Sequence, residues 1–239
     1  MTHYGEAMAL VAAFVFAWTS VFFTTAGQRL GLTVVNLLRL PGAAVCLGLV
    51  HFAVHGCFWP RAVAPSDQFW VGMSGVVGLA VGDAALFRSF TRIGPRRGMT
   101  VMALAPVVTA LLAWALLGER LGWQAIAGIG IVIGGVVLAA RGRDPGGGRF
   151  RDLPPELLRT GLLLALVGAV GQGVGTVFAK LGMGADGGGV DPLGATLVRV
   201  VWAAAAYWLV VLPRQNVREL RERLRDRRGV AALLVAIVT

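Results

Sequence analysis

The chain has 239 residues, 56% of them hydrophobic and only 14% charged, with a mean hydropathy of +0.74. Soluble domains run about 25% charged and about 45–50% apolar, so a water-soluble enzyme and a disordered chain are both excluded. The formal charge is +10, but the arginines stand between apolar runs, as loop charges beside a membrane do; no nucleic-acid partner is expected.

The N-terminal MTHYGEAMAL carries no Lys or Arg ahead of its first apolar run, so it lacks the basic region of a cleavable signal peptide. A bilayer core of about 30 Å takes about 20 apolar helical residues. In chain order, such spans are read at Ala7–Gln28, Leu40–Pro60, Phe69–Ser89 (enclosing Asp83), Gly98–Gly118, Leu121–Ala140, Thr160–Ala179 and Leu193–Leu212 (enclosing Arg199). Val217–Arg228 reads as a surface helix, with Val217, Leu220 and Leu224 on one face and Glu219 four residues ahead of Arg223. Gly229–Thr239 is apolar but too short to cross; it reads as the start of an eighth span, and a longer chain is expected. Cys46 lies inside an apolar run, so Cys46 and Cys57 imply no disulfide framework.

An internal repeat underlies this order. Ala9–Phe22 (ALVAAFVFAWTSVF) and Ala165–Phe178 (ALVGAVGQGVGTVF) agree at six of fourteen positions. Farther on, Leu37–Ala44 lines up with Leu197–Ala204, and Arg39 with Arg199. Five spans separate the copies, and an odd number inverts the second copy in the bilayer, as in many secondary transporters. Of the 22 basic residues, 17 fall in loops after the odd-numbered spans, counting Arg88 at the very end of the third, and three in the loops of the other face. The positive-inside rule then places the odd loops in the cytoplasm and the N-terminus outside.

Between Gly78 and Arg143 the text becomes specific. Gly82-Asp83 precedes an Ala-Leu-rich helix end, Ile93-Gly94 makes a turn, and Pro106 sits midway along the fourth span. Gly118-Glu119-Arg120-Leu121 forms the next loop, followed by Gln124, Gly128, Gly134 and Gly135 in the fifth span. This stretch resembles the EamA repeat of the drug/metabolite transporter superfamily. The resemblance implies an all-α integral membrane protein, a polytopic bundle of inverted five-helix repeats. Residues 5–143 would be the first repeat, 144–159 a cytoplasmic or connecting loop, and 160–239 a second repeat without its last three helices. The family is usually described with both termini cytoplasmic, which departs from the charge count here.

Several residues stand out as candidates for a solute site. Asp83 is the sharpest, because an ionised carboxylate at membrane depth costs at least about 2.5–3.5 kcal/mol and needs a cavity or a partner. It is expected to pair with Arg39 or to titrate as a coupling group. Arg39 and Arg199 either snorkel to headgroups or offer a cation to a solute carboxylate, one near each membrane face. Trp18, Thr19 and Ser20, with Gln172 and Thr176 in the matched helix, are candidates for a cavity lining or for hydrogen bonds between helices. Pro106 should kink its helix. The pairs Gly78–Gly82, Gly130–Gly134 and Gly171–Gly175 read as close-packing faces, and Glu119 as a solvated loop charge. His51, His55 and Cys57 cluster after the second span, but no acid stands near them in sequence, so no metal is expected. No phosphate loop and no catalytic triad is visible, so neither a cofactor nor catalysis is expected.

The reading is a secondary-active carrier in the cell membrane, moving a small organic solute such as an amino acid or drug-like metabolite by alternating access. Its partners are that solute and the lipid bilayer, with a homodimer allowed. The alternatives are a non-transporting scaffold or half-carrier and, behind it, an intramembrane enzyme, which would need more than one acid or histidine at depth.

Overall fold

The computed structural model describes residues 2–60, 64–141, 153–184, 191–214, 220 and 222–238. Among these there is no strand. Helix α1 (Thr2–Leu30) and α2 (Leu32–His55) are separated by Gly31 alone, whose φ of 85° makes the sharp reversal possible. The third span is α3 (Pro65–Gly75), a π-helical turn (Val76–Gly82) and α4 (Asp83–Ile93). The fourth is α5 (Pro95–Met102) and α6 (Ala105–Leu117). Then come α7 (Trp123–Arg141), α8 (Pro155–Met183), α9 (Pro192–Val211) and α10 (Arg227–Val238).

Among the described residues, six helical segments have the length and apolarity to cross a bilayer, and the outer surface of the bundle is greasy. Leu209 is 78% exposed, and Phe14, Ile131 and Leu138 are similarly bare. A contiguous apolar surface on this scale belongs against lipid, not water. The molecule is a multi-pass all-α membrane protein.

Three boundaries differ from the sequence reading. Helix α2 begins eight residues ahead of Leu40: Arg39 does not limit it, because the arginine is partnered inside the bundle. The fifth apolar helix starts two residues later than expected, α7 running Trp123–Arg141 over 19 residues, about 28 Å at 1.5 Å per residue. Gly118 turns the chain at φ 68°, and helix resumes only at Trp123. The fourth span is broken rather than gently kinked. Pro106 cannot donate to the preceding turn, so α5 ends at Met102 and α6 restarts at Ala105. The expected surface helix over 217–228 falls partly outside the described residues, as does most of the 144–159 loop.

The packing has an exchange pattern. The third span packs along α8, α10 packs along α1, and α2 packs along α9. If α1, α2 and the third span are matched with α8, α9 and α10, this set of pairings maps onto itself. Small residues make the closest of these approaches. A Cβ on Gly171 would stand 2.9 Å from Gly82 Cα, and one on Gly175 would stand 2.8 Å from the Ser74 carbonyl oxygen. Gly130 and Gly134 of α7, by contrast, face open space among the described residues, so that expected packing face meets no described residue.

Candidate functional site

The chemistry concentrates where the third span meets α2, α8 and α9. Asp83, only 6% exposed, follows the π-helical turn directly. Such turns carry an extra residue and often mark functional positions. Arg39 Nη2 donates to Asp83 Oδ2 at 2.7 Å, and Gln172 Nε2 donates to Asp83 Oδ1 at 2.6 Å. One carboxylate thus joins α2 to α8. The Arg39 guanidinium lies over a contacting pair of rings, its Cζ 5.2 Å from the Phe23 centroid and 4.9 Å from that of Phe87. Each ring face attracts the cation.

Arg39 therefore does not snorkel; it is turned inward. Arg199 is also turned into the bundle. Its Nη2 and the Gln172 side-chain oxygen both lie beside Gly78. The two arginines do not guard opposite membrane faces, because Arg199 is within electrostatic reach of the same Asp83 that Arg39 holds. The backbone allows this approach only because residue 75 is glycine: a Cβ there would strike the Arg199 carbonyl. Arg39 thus pairs with Asp83 while Arg199 stands near the same carboxylate, two guanidiniums beside one acid. The Nε atoms of Arg39 and Arg199 are buried without a hydrogen-bond partner among the described residues.

Two cavities flank this group. One, of about 500 Å³, lies between the fourth span and α8, and is lined by Pro106, Thr109, Gln172 and Thr176. Lys180 and Glu119 pair at its rim, and Glu119, though partnered, is an exposed loop charge. The other, of about 510 Å³, lies among α1, α2, α9 and α10, and is lined by Thr19, Phe23, Arg39 and Thr196. Gln172 lines the first and Arg39 the second, with Asp83 holding both. The charged group therefore links the linings of two open clefts, each large enough for a small metabolite.

Of the residues singled out in the sequence, Arg39, Asp83 and Gln172 are in direct contact, and Arg199 lies close by. Thr176 and Pro106 line the first cavity, and Thr19 the second. The Thr19 and Thr176 hydroxyls each donate to the carbonyl one turn back, at 2.7 and 2.8 Å. Trp18 is not brought in: it is 55% exposed, packs on Phe22 and lines neither cavity. The Ser20 side chain lies outside the described residues. Phe23, Phe87, Thr109 and Lys180 were not singled out in the sequence. Lys180 stands one residue beyond a charge-free window, and Phe23 and Phe87 carry no local mark that separates them from other core phenylalanines.

The EamA-like transporter family matches residues 3–141, more than half of the chain, and the protein belongs to that family. A probable terminal-alkyne amino-acid exporter of Streptantibioticus cattleyicolor is 28% identical over 201 residues, which is 83% of this chain and 61% of the exporter. The chain thus spans about three-fifths of the length of that relative.

Proposed function

We propose that the protein is a secondary-active carrier of the cell membrane that moves a small amino-acid-like solute by alternating access. The observation that carries this reading is the charged group. Asp83 holds both Arg39, which lines one cleft, and Gln172, which lines the other; in the carrier reading this group is the barrier between them. Lone charges at membrane depth are expensive and mark solute or ion paths. The excess guanidinium suits a solute carboxylate, with Arg199 as the group that receives it. Asp83 is then either the carboxylate that the solute's ammonium meets or the proton-coupling group. The exchange pattern of helix packing supports an inverted repeat, whose solute site is expected at the interface of the copies. The amino-acid exporter among its relatives agrees with this solute class.

The test is flux of radiolabelled amino acids in liposomes holding the purified 239-residue chain, with and without a pH gradient. Saturable flux above that of empty liposomes is expected, and Asp83→Asn should remove its response to the gradient. Flux equal to that of empty liposomes across a broad amino-acid panel would defeat the carrier reading. A response to the gradient that survives Asp83→Asn would remove the coupling role alone.

A further inference from the structure

At the membrane face opposite the basic loops, α2 ends and α9 begins, and three metal-binding side chains meet there. His51 and His55 are one turn apart on α2, with stacked rings 4.6 Å apart. Asp191 is the N-cap of α9, and its Oδ2 accepts from the Gly194 backbone N–H at 3.1 Å. His55 Nε2 lies 3.6 Å from Asp191 Oδ2. One ligand atom from each of the three falls within 4.8 Å of the others. The sequence offered no acid near the histidines; the fold delivers one from the other copy of the repeat.

The buried histidine is already prepared for a ligand role. His51 is 2% exposed, and its Nδ1 lies 2.6 Å from the Cys57 carbonyl oxygen. A carbonyl can only accept, so Nδ1 carries the proton and Nε2 keeps its lone pair. A second ring nitrogen anchored on a backbone carbonyl is the usual support of a metal-bound histidine. Nε2 points to the start of α9, where it would stand 3.5 Å from a Cβ on residue 194; glycine there leaves room in front of it.

We infer that His51, His55 and Asp191 form a site for a divalent first-row transition cation of the Zn²⁺ class, joining α2 to α9. Tetrahedral ligands about 2.1 Å from a metal stand about 3.4 Å apart. The His55–Asp191 separation of 3.6 Å already matches this, and the wider spacings close by side-chain rotation, since His55 and Asp191 are both exposed. Two imidazoles select against Mg²⁺ and Ca²⁺, which take oxygen ligands. Three protein ligands leave one position for water. The inference is independent of the transport reading. Should both hold, the ion ties the two copies together at one face and restrains its opening.

The test uses the chain purified without a polyhistidine tag, stripped of metal and titrated with Zn²⁺ against a chromophoric chelator. One equivalent per chain is expected. His55→Gln and Asp191→Asn should each weaken it at least about 10-fold, the loss typical of damaged metal sites, while His3→Gln should not. Asparagine still caps a helix, so Asp191→Asn keeps α9 capped; a monodisperse elution profile checks each variant's fold. Absence of a bound equivalent in the wild type, or wild-type affinity in both site variants, would overturn the assignment. So would a Co²⁺ complex with strong sulfur-to-metal charge-transfer absorption, which would put Cys57 in the ligand set instead of Asp191.

Discussion

Replacing Asp83 by asparagine tests the buried charged group most sharply, because it removes charge and little else. Gln172 can turn its amide over to meet the new donor, so the hydrogen bonds around position 83 largely survive. Arg39, held against Phe23 and Phe87, loses its counter-charge and cannot deprotonate. Opposite unit charges about 4 Å apart attract by about 4 kcal/mol at an effective dielectric of 20. Removing one partner of a buried pair typically costs about 3–5 kcal/mol. The converse change, Arg39→Gln, should cost less, because the stranded carboxyl can take up a proton and Arg199 remains within reach. The double variant should cost less than the sum of the singles, by about 0.5–3 kcal/mol. Equilibrium unfolding in mixed detergent micelles, followed through the seven tryptophans, reads all three. Single-variant costs that add to within about 0.5 kcal/mol, or an Asp83→Asn cost below that of Arg39→Gln, would refute the reasoning.

The remaining predictions concern packing and the end of the chain. Gly175→Ala forces a Cβ to within 2.8 Å of the Ser74 carbonyl and should destabilise by about 1–3 kcal/mol. Gly130→Ala meets open space and should stay within about 0.5 kcal/mol of wild type; the same unfolding assay compares them. Asp226 caps α10 by accepting from the Gly229 and Arg228 N–H groups and pairs with Arg29. The Gly229 N–H, first among these, draws its carboxyl below the usual range. A lowered folded value means that the stabilisation is present above the unfolded carboxyl's pKa of about 4 and is lost as pH falls through the folded value. Protease nicking near α10 should therefore rise in that acid window for wild type and be insensitive to pH there for Asp226→Asn.

The charges at depth were legible in the sequence because lipid makes them costly, and cost demands a partner. Arg39, Asp83 and Arg199 stood out for that reason, and Gln172 and Thr176 stood out as polar groups in a matched helix. What the sequence could not convey was direction. Charge-free windows put Arg39 near a helix end, where snorkelling is the natural expectation, whereas α2 runs eight residues farther and turns it inward. Trp18 sits beside Thr19 in sequence, yet successive residues on a helix point about 100° apart, and only Thr19 faces the cavity. The Gln172–Asp83 bond and the meeting of Asp191 with His55 join residues far apart in the chain, and no local pattern encodes either. The glycine pairs show the same limit: three matched the spacing, but only two found a facing helix.

The most direct test of the account is whether Arg199 receives a carboxylate at the charged group. Counterflow in proteoliposomes should exchange a transported amino acid but not the amine that lacks its carboxylate, and Arg199→Gln should abolish that preference while the variant still folds. Equal exchange of the amino acid and its amine by wild type, or a preference unchanged in Arg199→Gln, would contradict it.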